Sequence, residues 1–349
     1  MTPTRRAFLF ASANPAIRAA AAAGPESYAI EKIAPGAWFA QAAPNAVFNC
    51  NVAIFEQSAG LVVVDANNTP SLAESLIVRL DREVSRKPVH TVVYSHFHFD
   101  HVQGTAAYRK RWPDVQIVAA RATKSLLEEN GKAWVETTVA GAEKLASSSP
   151  DPAVQEQARA YVRDMKGALP LLPTRTFTDE LTLPDSRQPL ELRFAGRGHT
   201  AGDLLVWSPS RKVLATGDFA HESGLPFLSD AYVHEWVPAL RRWADLGFAA
   251  AIGGHGPAFD RRAFTDRAAY LEELVEAVEK AKAAGKTVQT LAAELTPDKL
   301  KSLASGYGER LGLLVKKANP ALQVSPLQAL APNLRANVNQ LWARLSAEK

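Results

Sequence analysis

The stretch from Tyr94 to His101 reads Y-S-H-F-H-F-D-H. It follows directly on Val89 to Tyr94, a continuous β-branched and aromatic run of the kind that forms a buried strand. Such a strand ends at Ser95 and delivers three imidazoles and a carboxylate from its carboxyl end, where a rigid scaffold presents functional loops. Imidazole nitrogen and carboxylate oxygen are the donors that hold zinc and related divalent metals. With 8 histidines in 349 residues, composition does not account for this cluster. His96, His98, Asp100 and His101 are therefore candidate metal ligands.

Four ligands do not saturate two ions, so further donors are expected downstream. Three candidates stand behind predicted strands: His199 in G-R-G-H-T-A-G-D, Asp218 in A-T-G-D-F, and His255 in G-G-H-G-P. Each has glycine neighbours, which allow backbone to approach a crowded site.

The rest of the chain alternates short strands with helices. Strands are expected at Trp38 to Gln41, Asn51 to Phe55 and Leu61 to Asp65, as the start of an antiparallel sheet. Thr69, Pro70, Ser71 and Glu74 form a helix-start signature, with Ser71 and Glu74 spaced as a capping box, ahead of the periodic Leu72, Leu76, Ile77 and Leu80, and Pro88 closes that helix. A helix from Gly104 to Arg111, a strand Val115 to Ala119 and a helix from Thr123 follow. Residues from about 124 to 173 are alanine-rich, helical in pattern and broken by prolines, which reads as a helical insertion. Strands resume at Thr174 to Thr178, Leu190 to Ala195, Asp203 to Trp207, Val213 to Thr216 and Ala249 to Gly253, with a helix around Val233 to Leu246. Beyond about residue 260 the pattern is helical again. The alternation predicts a layered α/β arrangement.

Hydrophobic residues make up 47% and charged residues 22%, ordinary globular values. The formal charge is +4, but Lys and Arg are scattered with no basic stripe, which argues against a nucleic-acid partner. A single cysteine, Cys50, excludes an intrachain disulfide framework and reads as a buried small residue. No run reaches the ~20 apolar residues of a membrane span. At the N-terminus, Thr4-Arg5-Arg6-Ala7-Phe8-Leu9 followed by the alanines 19 to 23 resembles a twin-arginine export signal over residues 1–24, implying a periplasmic location.

The H-x-H-x-D-H cluster, with His199, Asp218 and His255 in order behind it, resembles the metallo-β-lactamase superfamily. The resemblance covers roughly residues 26 to 260 apart from the insertion. It implies an αββα sandwich over 25–260, a helical insertion at about 124–173, and a helical C-terminal extension over 261–349. By the family pattern His96, His98 and His199 hold one metal, Asp100, His101 and His255 hold a second, and Asp218 bridges them. Aspartate at that bridging position is similar to the glyoxalase II, lactonase and phosphodiesterase branches, whereas the zinc β-lactamases carry cysteine or another residue there. The implied cofactor is two Zn2+, with iron or manganese as alternatives.

Two ions sharing a water lower its pKa toward ~7, which predicts a metal-bridging hydroxide as nucleophile for an ester, thioester, lactone or related bond of a small molecule. Asp100 is the candidate to orient that nucleophile or take its proton. Asp65, ending a strand, is either an acidic residue that hydrogen-bonds a ligand histidine or a helix cap. His221 and Tyr232 are candidate substrate contacts; His90 and His234 read as structural or surface residues. The insertion reads as either a lid or a stabilising decoration. Alternative functions are β-lactam hydrolysis, iron-dependent sulfur dioxygenation and non-catalytic metal binding. Oligomeric state leaves no trace in the sequence.

Overall fold

The computed structural model describes residues 28–43 and 49–347. The export signal expected over residues 1–24 lies outside the described residues. Strands β1 (Tyr28–Ala34), β2 (Ala37–Ala42), β3 (Val52–Glu56) and β4 (Leu61–Val64) form an antiparallel meander. Helix α1 (Pro70–Glu83) crosses to β5 (Val89–Val93), which lies parallel to β4. After the short helices α2 (Phe99–Val102) and α3 (Thr105–Arg111), β6 (Gln116–Ala120) extends the sheet in parallel. Helices α4 (Arg121–Ser148) and α5 (Pro152–Met165) come next, and β7 (Arg175–Phe177) completes a seven-stranded sheet in sequential order. The second sheet contains β8 (Glu180–Leu183), β9 (Leu190–Phe194), β10 (Leu204–Ser208), β11 (Val213–Gly217) and, after α6 (Val233–Ala244), β12 (Ala250–Gly253). Helices α7 (Arg262–Ala283), α8 (Val288–Glu294), α9 (Gly308–Ala318), α10 (Pro326–Ala329) and α11 (Ala331–Ala347) end the chain.

Two-residue alternation makes this a four-layer stack. In β4, Val62 and Val64 enter the core between the sheets while Leu61 and Val63 pack on the helices outside. In β10, Leu204 and Val206 meet them from the opposite sheet. Leu205 and Trp207 instead face α6, α7 and the C-terminal helices. The inner strands of both sheets are thus buried on both faces, which is why they read as continuous apolar runs. The αββα sandwich is observed, and no helix among the described residues is long and apolar enough to cross a membrane.

Local signals were less accurate than the layer pattern. Helix α1 is capped by Thr69, whose hydroxyl accepts from Leu72 N at 3.3 Å, with proline in the first turn. Ser71, expected as the cap, instead donates its hydroxyl to Asp164 of α5. The reason is tertiary: α5 lies against the start of α1 and offers a carboxylate. Strands β1 and β8, half exposed and mixed in polarity, carry no clear apolar run.

The segment expected as an insertion forms a helical pair with a small core of its own, including Val135, Val139, Tyr161 and Met165. Its first helix begins at Arg121, directly behind β6. The pair is docked: Trp134 stacks on Phe97 of the histidine loop with centroids 4.4 Å apart, and the Tyr161 hydroxyl donates to Gln103 at 2.9 Å.

Leu192 is fully buried between the sheets. Leu192→Ala is expected to destabilise the fold by about 2 to 5 kcal/mol, read as a lower urea midpoint with an unchanged slope.

Candidate metal centre

Directly after β4, Asp65 takes the left-handed region with φ of 70°, a conformation that aspartate adopts more readily than most residues. This turns its buried carboxylate under the end of β5. Oδ1 accepts from Ser95 N at 2.8 Å, and Oδ2 accepts from the Ser95 hydroxyl at 2.9 Å and His101 Nδ1 at 2.8 Å. Of the two readings open for Asp65, the structure displays the hydrogen bond to a histidine; the helix cap is Thr69. From the other side, Leu204 N donates to Ser95 O at 2.8 Å, tying the histidine loop to the second sheet.

These partners decide which nitrogen each imidazole presents. A carboxylate or a carbonyl only accepts, so the ring nitrogen facing it carries the proton and a neutral ring leaves its other nitrogen as a bare lone pair. His101 donates from Nδ1 to Asp65, which turns Nε2 toward Asp100 and Asp218. The Ser95 hydroxyl gives its proton to Asp65 and accepts from His96 Nδ1 at 3.0 Å, leaving His96 Nε2 bare. His199 donates from Nδ1 to Phe227 O at 3.1 Å, and His98 donates from Nε2 to Asp230 Oδ2 at 3.1 Å. The bare nitrogens of His98 and His199 then face each other at 3.0 Å. Two lone pairs at that separation call for a cation.

The other donors converge on the same space. One atom each from His96, His98, His199 and Asp218 lie within 4.8 Å of one another, as do atoms from Asp100, His101 and His255. Asp218 reaches both groups: Oδ2 lies 3.7 Å from His199 Nε2 and 3.4 Å from His255 Nε2, and Oδ1 lies 3.6 Å from His101 Nε2. Asp100 Oδ2 lies 3.2 Å from His255 Nε2 and 3.5 Å from His101 Nε2. His96 Nε2, His101 Nε2 and Asp218 Oδ1 are buried without a hydrogen-bond partner. Orphaned buried atoms of this kind are costly unless an ion fills the space between them. The seven side chains named from the sequence are thus brought together, and their donor set fits two divalent ions.

Glycine makes this approach possible at Gly254, where a Cβ would stand 2.3 Å from Asp218 Oδ1 and 2.5 Å from His101 Cε1. Gly217 serves likewise, with φ of 49° and Ser95 Oγ 2.2 Å from where its Cβ would be.

Burial and charge split the titrations. Burial, with His98 as a like neighbour, lowers His199 to about 3, and burial together with His101 and His98 holds His96 well below the ordinary imidazole value. Burial opposes the charge on His255 too, but Asp218 and Asp100 overcome it and raise the ring to about 10. Against the same burial, Asp100, Asp65 and Asp218 hold His101 well above its ordinary value, so without an ion its Nε2 carries a proton that a bound metal would displace. Asp100 falls to about 2, because His101 and His255 outweigh the burial that raises it.

Several residues that hold the site were not singled out from the sequence. Asn51 on the entry to β3 accepts from Ala42 N and donates to Gly253 O and Gly256 O, fixing the loop of His255. Asp203 accepts from Thr200 N and Oγ1 and shapes the His199 turn, and burial raises it to about 7. Arg267, fully buried on α7, donates to Asp218 O at 3.0 Å and His221 O at 2.7 Å. Asp230 lies in a loop with no motif of its own.

Other expectations land as follows. Cys50, remote from every motif in sequence, is buried beside Asp65 and His101. Burial raises its thiol to about 11, so it stays protonated. His221 is buried with its ring centroid 5.8 Å from that of His255, and its Nδ1 pairs with the Ser223 hydroxyl. Tyr232 lies between the guanidinium groups of Arg197 and Arg344, 4.4 and 4.8 Å from its ring. Two cations therefore flank the ring that was expected to meet substrate. His234 is exposed on α6 near Glu279.

Comparison with known proteins agrees with this architecture. The family model of the metallo-beta-lactamase superfamily matches residues 45–283, and the chain belongs to that superfamily. A metallo-beta-lactamase type 2 from Bacillus cereus is 24% identical over 218 residues, covering 60% of this chain and 68% of that protein. The alpha subunit of a 2,4-dinitroanisole O-demethylase from Nocardioides sp. is 27% identical over 212 residues, covering 60% of this chain and 53% of that protein. Among solved structures, a metallo-beta-lactamase from Pontibacter korlensis superposes with a TM-score of 0.52 at 21% identity, covering 70% of this chain and 99% of its own. A double mutant of the sec-alkyl sulfatase PisA1 superposes with a TM-score of 0.65 at 17% identity, covering 91% of this chain and 50% of its own. That likeness of fold extends beyond the residues the family model matches.

Two outcomes follow from the geometry. Gly254→Ala is expected to weaken metal binding by at least about 10-fold while the fold survives, measured by zinc titration and by Tm. For chelator-treated protein, His199 has a folded value below the ordinary 6.5, so its contribution to stability is lost as pH falls from there toward about 3. His255 has a folded value above 6.5, so its contribution is present below 6.5 and lost as pH rises toward about 10. The Tm should therefore peak near neutral pH and fall on both sides; a steady rise from about pH 5 to about pH 9 would contradict the assignment.

Proposed function

We propose that this member of the metallo-beta-lactamase superfamily is a dinuclear metal-dependent hydrolase acting on an ester, thioester, lactone or related bond of a small molecule. The observation that carries this reading is the convergence of the imidazole nitrogens, four of the rings fixed by a partner behind them, with Asp100 at one group and Asp218 reaching both. His96, His98 and His199 would hold one ion, Asp100, His101 and His255 the other, and Asp218 would touch both. The nitrogen and oxygen donors suit zinc, and iron or manganese would bind the same set. When bound, the pair supplies Lewis acidity and a water acidified toward neutrality.

The chain's own groups do the remaining work. Asp100 is the candidate to orient the attacking water and take its proton, because its carboxylate lies at the mouth of the second group and is held ionised by His101 and His255. Phe227 stands partly exposed with its ring 5.7 Å from that of His98, an apolar wall suited to an apolar part of the substrate. No serine or cysteine nucleophile is needed: the Cys50 thiol is buried and protonated.

The relatives are named for a β-lactamase, an O-demethylase and an alkyl sulfatase, and in this superfamily the ligands set the chemistry while loops choose the bond. β-Lactams and sulfate esters therefore belong in the assay beside esters, thioesters, lactones and phosphodiesters. We expect zinc-loaded protein to turn over at least one of these classes. Asp218→Ala and His98→Ala should each lower kcat/KM by about 100-fold or more, with loss of bound metal on the same samples. Unchanged activity and occupancy in both variants would refute the site. One bound iron with persulfide oxidation would replace the hydrolase by a dioxygenase, and metal binding without turnover of any class would leave a binding protein.

A further inference from the structure

We infer that the C-terminal helix α11 is part of the metal centre: by clamping the loop Phe227 to Tyr232, it holds His98 and His199 in the tautomer and orientation that bind an ion. The inference rests on the metal-binding reading above and adds a residue-level device to it. Both imidazoles take their outer partner from this one loop, His199 from Phe227 O and His98 from Asp230 Oδ2. Between Ala220 and α6 the chain forms neither strand nor helix, so repetitive backbone hydrogen bonds do not fix its position.

Helix α11 does so instead, from more than a hundred residues away. Leu228 N donates to Gln340 Oε1 at 2.9 Å, and Arg344 Nε donates to Ala231 O at 2.9 Å. The two contacts bracket Asp230. Leu228 and Ala231 are buried in the same cluster as Leu334, Val338 and Leu341 of α11. At the loop's far end Tyr232 N donates to Gly198 O at 2.8 Å, one residue before His199. The loop is therefore a strap, fastened to α11 on one side and to the ligand turn on the other.

A ring nitrogen that loses its acceptor is free to change tautomer and to rotate, and such partners commonly contribute about 10- to 100-fold to metal affinity. The other half of the centre has a different support. His101 takes its partner from Asp65, at the end of β4 in the seven-stranded sheet. Loosening the strap should therefore weaken one of two metal-binding steps. General destabilisation would weaken both.

The test is a zinc titration of the full chain against a chromophoric chelator, resolving two stepwise constants, with the Tm of the chelated protein taken on the same samples. Three variants are compared with wild type: Asp230→Ala removes the acceptor, Asp230→Asn keeps an oxygen there, and Gln340→Ala with Arg344→Gln opens the clamp. We expect Asp230→Ala and the clamp variant to weaken one step by about 10- to 100-fold with the other within about 3-fold, and Asp230→Asn to recover most of the loss. Two unchanged steps in Asp230→Ala, or two steps that fall together, would overturn the inference. Should the double variant fail to fold, Gln340→Ala alone tests the clamp by the same criterion. Wild type that binds no zinc would instead bring down the proposed function itself.

Discussion

The Asp65 carboxylate is the interaction on which the site depends. It sits where β4 ends, under the end of the neighbouring β5, and accepts from Ser95 twice and from His101 once. One buried anion therefore sets the path of the histidine loop and the orientation of two imidazoles, His101 directly and His96 through the Ser95 hydroxyl. Its backbone takes a left-handed conformation that costs a non-glycine residue of order 1 kcal/mol or more. Three buried hydrogen bonds to a charged acceptor, each stronger than a neutral pair, outweigh that cost.

The same logic recurs around the centre with partners drawn from distant parts of the chain. Phe227 O and Asp230 orient His199 and His98, and Arg267 from α7 holds the backbone on either side of the Asp218 turn. Four of the imidazoles and the Asp218 backbone are thereby fixed in place, so little of their conformational freedom would remain to be lost on binding an ion. The arrangement leaves buried atoms without partners in the protein, a destabilised polar cluster at the edge of an otherwise apolar sandwich. Folding stability comes from the layers of aliphatic side chains between and outside the sheets; the cluster draws on it.

The site's composition was readable because metal chemistry restricts residue type and spacing together. Asp100 and three histidines lie within six residues, and the remaining three ligands follow strands beside glycines. The layer order was readable because strands buried on both faces are apolar throughout. Helix caps were less so: Ser71 and Glu74 had the right spacing, yet Thr69 caps α1, since Asp164 from α5 claims Ser71. Strands β1 and β8 escaped notice because one face of each meets solvent and no simple alternation survives.

The sequence by itself determined the inventory of candidate ligands, the alternation that builds two sheets between helices, and the glycines that permit close approach. Only the tertiary structure decided which nitrogen each histidine presents, because a tautomer is set by whatever accepts from the opposite side of the ring. Those acceptors, Asp65, Ser95, Phe227 and Asp230, lie from 1 to 132 residues away from the rings they serve. No spacing rule connects such pairs. It also took the fold to bring Cys50 beside His101 and α11 behind the loop of His98's partner, since contacts between distant segments follow from packing and leave no period in the chain.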